Sequence, residues 1–258
     1  LFYYLAKKLD IIGEDESREN LVSGFILKWV RDGIITIREK ESGAIVKKKN
    51  YDMYLDVDAK FENKQETALY KMFILASKEG VLQTKAFQKW CSKHYNKIDD
   101  WFTKVDNVTE DFMNENGYAK TATIYKRFLF WNIPHDRTVW TDKAYDQCLY
   151  VWGFNNFLDD EDNMKEKAAI EVKLWDEYLI FAAVLGIADR VEKQLKVAIP
   201  HYEETTTYNN FPIYYYTHTF AHNSMSAASS AASAGQGGSS SFSGGGGGFS
   251  GGGGGGVR

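Results

Sequence analysis

His218 and His222 stand four residues apart in "THTFAH", and on a helix that spacing puts two imidazoles on one face, an arrangement a zinc ion can use. The segment lacks the glutamate of a zincin helix, and neither cysteine is near, so an incidental pair in water is the plainer reading. The acidic run "LDDEDN" alternates Asp160 and Asp162 as a calcium loop would. It has no central glycine or closing glutamate at the required places, so a solvated connection between helices is expected there. Lys47, Lys48 and Lys49 form a basic triplet that could meet phosphate. The helix before it mixes Arg18, Glu19, Lys28, Arg31 and Asp32, and carries no arginine-rich face aimed at bases. Serine nucleophile elbows, phosphate-cradling glycine loops and paired catalytic carboxylates are absent from the sequence. No catalytic residue, metal or cofactor is expected, and an enzyme is the least favoured reading.

The chemistry-poor residues sit in a chain well supplied with core-forming ones. Apolar residues make up 44% of the 258 positions and aromatics 15%, enough to bury a core over most of the length. The seven tryptophans are read as core or interface. A net charge of −4 offers no global basic field for nucleic acid. Cys91 and Cys148 are far apart and read as reduced thiols, which suits a reducing compartment. No signal peptide is visible, and the missing initiator methionine suggests a fragment of a longer protein. The longest uncharged apolar run, "YLIFAAVLGIA", spans roughly 16 Å as a helix, about half a bilayer core of ~30 Å. No membrane span is therefore expected within this chain.

The expected fold class is mainly α with a small β hairpin: a winged-helix-like N-terminal module, helical modules, and a disordered Gly/Ser-rich tail. In residues 1–58, "SRENLVSGFILKWVRDG" reads as a helix from Ser17 to Gly33, with Leu21, Phe25, Ile26, Leu27 and Val30 inward. β-branched residues then predict strands near Ile34–Arg38 and Ile45–Lys49 around "ESGA", a helix-plus-wing skeleton. Residues 59–118 repeat the theme without a clear wing. Leu69, Met72, Phe73 and Leu75 are expected inside, as are Phe87, Trp90, Ile98, Trp101, Phe102, Val105, Val108 and Phe112. Residues 119–200 form a third helical group, whose last part is one long helix or two broken at Gly186. From residue 201 the chain turns polar and aromatic, then Ser/Ala, then Gly, with 14 of its 22 glycines from Gly235 onward. Residues 224–258 are expected to have no fixed structure, and their deletion to leave the melting temperature unchanged.

Three stretches together carry a resemblance, the first being "LVSGFILKWVRDGIITIRE", a helix running into a strand, and the second holding two motif segments of the third group. Gly153, Phe154, Phe157 and Leu158 form a Gly-Phe-x-x-Phe-Leu segment. Leu174, Trp175, Tyr178, Leu179, Ala182, Leu185, Gly186 and Ala188 form Leu-Trp-x-x-Tyr-Leu-x-x-Ala-x-x-Leu-Gly-x-Ala. With the Ser-then-Gly tail ending in Arg258, these resemble a family of predicted bacterial membrane proteins with a domain of unknown function (DUF2207-like). The resemblance implies that this is the C-terminal soluble half of an integral membrane protein, on the cytoplasmic side. Trp175, Tyr178, Leu179 and Ala182 are expected on a buried helix face against Phe154, Phe157 and Leu158. Members of the family carry a hydrophobic membrane hairpin before the Gly-Phe segment. Here "YAKTATIYKRFLFWNIPHDRTVW" stands in that place, and its Lys120, Lys126, Arg127, Asp136 and Arg137 cannot lie in a bilayer core.

The resulting expectation is a non-catalytic interaction or scaffold region, whose partner is another protein or the chain's own membrane domain. The alternative is a winged-helix DNA-binding regulator working through Lys47, Lys48 and Lys49.

Overall fold

The structure, a computed structural model, describes residues 1–42, 48–128, 130–160, 172–198 and 213–236. The elements run α1 (Phe2–Lys8), α2 (Glu14–Arg31), β1 (Ile35–Ser42), β2 (Lys48–Leu55), α3 (Lys64–Ala76), β3 (Val81–Gln83) and α4 (Thr84–Lys93). They continue with α5 (Tyr95–Glu115), β4 (Ala119–Phe128), β5 (Trp131–Trp140), α6 (Asp142–Asp159), α7 (Val172–Leu185), α8 (Ala188–Ala198) and α9 (Ile213–Gln236). The protein is mainly α with a small antiparallel β part.

A helix that hands over to a hairpin occurs twice. At the end of α2, Ile34 N–H donates to Trp29 O at 2.8 Å and Gly33 N–H to Val30 O at 3.1 Å. At the end of α5, Tyr118 N–H donates to Met113 O at 2.8 Å and Gly117 N–H to Asn114 O at 3.3 Å. Both glycines have φ near +70°, at 72° and 71°, the left-handed turn that closes a helix and turns the chain outward into a strand. The first hairpin pairs Ile35 with Leu55 through to Ser42 with Lys48, and β3 joins β2 as a third strand. The second pairs Ala119 with Trp140 through to Phe128 with Trp131 and stays two-stranded.

The second strand of the first hairpin therefore lies later than the predicted Ile45–Lys49. Burial selects the register: Met53 and Leu55, two apart, are enclosed, whereas a lysine-rich strand has no apolar face to bury. The second hairpin is a further difference, since residues 59–118 were read without a wing and 119–140 as part of a helical group. The alternation in "TATIY" is a strand signal, and the glycine before it is the same stop used at Gly33.

α2 is the hub. It touches α1, α7, α9 and β1, and it is enclosed on more than one side, since Ser17, Glu19, Asn20 and Ser23 are buried along with Leu21, Val22, Ile26, Leu27 and Trp29. Some of its polar groups find partners on other elements. Ser23 and Thr217 hydroxyls lie 3.1 Å apart across the α2–α9 contact. α3 begins at Asn63, whose Oδ1 accepts from the N–H groups of Gln65 at 2.8 Å and Glu66 at 3.0 Å, an N-cap that satisfies two otherwise free donors. α1 is fastened to α5 by Tyr4 O–H donating to Glu110 at 2.7 Å and by Lys7 with Asp106 at 2.6 Å.

The C-terminal region departs most from expectation. Residues 213–236 form α9, which packs on α2 and α4. Ile213, Tyr216, Thr217, Phe220, Ala221, Ser224, Met225 and Ala228 are buried, spaced as one face of a helix. Alanine is the strongest helix former, and small Ala and Ser side chains let helices approach closely, so a Ser/Ala stretch that looks unstructured can be an interior helix. The expectation of no fixed structure fails up to Gln236, and Gly237–Arg258 lies outside the described residues. Leu75, Val108 and Phe112 were also expected inside and are exposed, Leu75 at 66%.

One close approach is testable. A Cβ on Gly24 would sit 2.7 Å from Val184 Cγ2 and 3.5 Å from Ile180 O, where α2 crosses α7. Val184 is β-branched and buried and cannot swing aside. Gly24→Ala is expected to destabilise by about 1–2 kcal/mol, because overpacking of ~1–3 kcal/mol outweighs a helix-propensity gain of up to ~1 kcal/mol. A denaturant titration showing equal or greater stability would contradict this packing.

Candidate functional site

The motif residues come together where α1, α6 and α7 meet. α6 starts at Thr141, whose hydroxyl donates to Gly117 O at 2.8 Å and ties the helix to the base of the second hairpin. α7 ends at Gly186, where φ is 77° and Ile187 N–H donates to Ala182 O at 2.9 Å. The chain then re-enters a helix at Ala188, so the long apolar segment is two helices broken at this glycine. A Cβ on Gly186 would lie 2.9 Å from the side-chain nitrogen of Asn20, so the turn is also pressed against α2.

Trp175, Leu179, Ala182 and Leu158 are buried, and Tyr178, Phe154 and Phe157 are half-buried beside them. Tyr178 is the centre of the aromatic cluster. It meets Phe154 edge-on at 5.4 Å, Phe157 at 6.0 Å and Trp175 at 5.1 Å between ring centroids. Phe181 extends the cluster to Phe154 at 5.7 Å and to Phe2 of α1 at 5.0 Å. Such edge-to-face contacts place the positive ring edge on the negative ring face. Leu174 points the other way and is exposed, and Gly153 faces open space with nothing near its missing Cβ.

The cluster leaves a groove of about 670 Å³, lined by Phe2, Leu5, Tyr150, Phe154, Tyr178 and Phe181, with Gln147 and Glu177 among its few polar members. Its described lining holds no histidine, cysteine or serine. What it can do chemically is accept apolar side chains and offer one carboxylate and one amide to orient them. Beyond it, α6 presents Tyr145, Leu149 and Trp152 to solvent at helical spacing, beside Gly153. Sequence reasoning placed Trp152 simply among core or interface residues. The signal for this face was present: "YDQCLYVWGFNNFL" is apolar around more of the helix than one buried stripe needs.

Gly153→Ala is expected to raise the stability of the isolated chain by up to ~1 kcal/mol, since the new methyl meets nothing and the helix gains propensity. Thermal melts of the two chains check it, and a loss of stability would mean that this face is already covered.

The other candidate groups are dispersed. His222 Nδ1 lies 2.8 Å from Glu19 Oε2, and His218 Nε2 lies 3.7 Å from Glu19 Oε1, joining α9 to α2. Among the described residues no group of three or more His, Cys, Asp or Glu could hold a metal. Lys47 and Asp162 lie outside the described residues, and Lys48 and Lys49 open β2. Asp159 pairs with Arg190 of α8. Cys91 and Cys148 are both free and buried, and burial pushes the Cys91 thiol up to about 12, far from a reactive thiolate at neutral pH.

Residues 127–195 match the family model of the predicted membrane protein (DUF2207) C-terminal domain. The match takes in both motif segments, and the resemblance to DUF2207 proteins is borne out over these residues. No curated protein and no solved structure matches the chain. No helix of the described residues is long and apolar enough to cross a membrane.

Proposed function

We propose that this chain is a non-catalytic interaction region of a DUF2207-type membrane protein, on the cytoplasmic side, and that its partner covers α6 and the groove beside it. The observation that carries this reading is the exposed row of Tyr145, Leu149 and Trp152 running alongside a groove built from the motif aromatics. Large exposed apolar side chains in a contiguous set mark surfaces that are covered in the working assembly. Tyr and Trp are the residues that interfaces favour, because they bring large area at low entropic cost. The partner is a protein segment with apolar side chains to fill the groove, either a separate protein or a membrane-embedded part of the same one. Two free, buried cysteines suit a reducing compartment.

The test is photo-crosslinking in intact membranes. A photoreactive residue at Tyr150, which is exposed and lines the groove, should give a discrete protein adduct. The same residue at exposed Leu75 of α3 should not. Equal labelling from both positions, or none from Tyr150, would remove α6 as the docking face.

A further inference from the structure

The second hairpin carries an apolar end that none of the described residues covers. β4 and β5 pair along ten residues each, and among the described residues their main contacts with the body are to α5 and α6. The base is clamped, with Ala119 buried, Trp140 half-buried and Thr141 N–H donating to Tyr118 O at 3.0 Å. At the far end, Phe130 is 92% exposed, Trp131 75% and Tyr125 68%. Phe130 and Trp131 are consecutive in the sequence. Arg127 and Asn132, a register pair next to the tip, are exposed, as are Lys120 and Arg137 farther down.

The charge of this element also differs from that of the whole. Residues 119–140 contain four basic residues, Lys120, Lys126, Arg127 and Arg137, against one acid, Asp136, in a chain of net charge −4. An element basic along its strands and aromatic at its end fits an interface where negative charge overlies hydrocarbon. Aromatic rings, tryptophan above all, settle at headgroup level, and nearby arginine and lysine pair with anionic lipid. A hairpin reading duplex nucleic acid would instead be expected to put its cations at the tip, against phosphate.

We propose that the tip of the β4–β5 hairpin, Phe130 and Trp131 with Tyr125 and Arg127 behind them, seats in the headgroup layer of an anionic lipid bilayer. The contact is peripheral: the rings enter the interface and the strands remain outside the hydrocarbon. It involves lipid and a different element from the partner face on α6, so either can fail without the other.

The experiment is co-sedimentation of the chain with protein-free vesicles, of phosphatidylcholine alone and of an equimolar mixture with phosphatidylglycerol. The chain should bind the anionic vesicles more tightly than the neutral ones, and less tightly as salt rises. Phe130→Ser with Trp131→Ser should weaken that binding about tenfold or more, because two rings no longer leave water. Arg127→Glu should weaken it on anionic vesicles and leave weak binding to neutral ones unchanged. The melting temperature should be unaltered in both variants, since the substituted side chains are exposed. Absence of binding to anionic vesicles would overturn the proposal, as would binding that survives both sets of substitutions. So would a result in which the tip substitutions abolish duplex DNA binding or self-association while vesicle binding is unaffected.

Discussion

Truncation after residue 212 is expected to abolish cooperative folding. α9 supplies Ile213, Tyr214, Tyr216, Phe220 and Met225 to the core. Phe220 stacks on Phe87 at 5.2 Å and lies 5.9 Å from Phe73, both fully buried. Each large side chain contributes about 1.5–3 kcal/mol when buried, so the five together are of the order of the whole ~5–15 kcal/mol by which a domain is stable. Truncation recovers the entropy of ordering the helix, but it also opens the faces of α2, α3 and α4, which then expose Ser23, Phe73 and Phe87 with nothing in exchange. Phe220→Ala is the graded version, at about 3–5 kcal/mol. At roughly 2–4 °C per kcal/mol for a chain of this size, that lowers the melting temperature by roughly 6–20 °C. A truncated chain that melts cooperatively near the parent temperature would show that α9 is an accessory to the fold.

Trp29→Ala is expected to cost at least as much as Phe220→Ala. Trp29 is wholly buried and is ringed by Tyr70 at 4.9 Å, Phe73 at 5.2 Å, Phe25 at 5.7 Å and Phe61 at 6.0 Å. Its indole N–H donates to Glu66 Oε1 at 2.9 Å, and Lys28 reaches the same oxygen at 2.7 Å. Removing the ring leaves a cavity worth about 3–5 kcal/mol. It also takes one donor from a buried carboxylate, a further ~1–3 kcal/mol. The two parts separate in a double-mutant cycle with Glu66→Gln. Trp29→Ala should cost less in the background of that second substitution, because a neutral amide needs the donor less. Strict additivity in urea titrations would mean that the charge on Glu66 adds nothing to its contact with Trp29.

Local signals carried part of this fold plainly. Gly33 and Gly186 were legible as stops because a left-handed turn leaves one residue type strongly preferred, and the structure turns at both. The motif cluster around Tyr178 was legible as spacing, since residues three and four apart share a helix face. α9 was not legible, because its buried face is made partly of Ala and Ser, which composition alone assigns to water. Leu75, Val108 and Phe112 were misplaced for the converse reason. An apolar residue is free to be exposed, and only the neighbouring elements decide which of two adjacent faces is covered. The candidate site follows the same division. Its inner ring of Phe154, Tyr178 and Trp175 repeats at helical spacing, but its outer row on α6 is defined by what fails to pack on it, which no single segment encodes.

The Ser23–Thr217 contact joins positions 194 residues apart. At a ribosomal rate of about 5–20 residues per second, α2 emerges roughly 10–40 s before the helix that covers it. During that interval Ser23 and the enclosed apolar residues around it can only be met by water, by earlier helices or by a chaperone. Completion of this fold thus waits for α9, and a nascent chain stalled before α9 would remain open to proteolysis at α2.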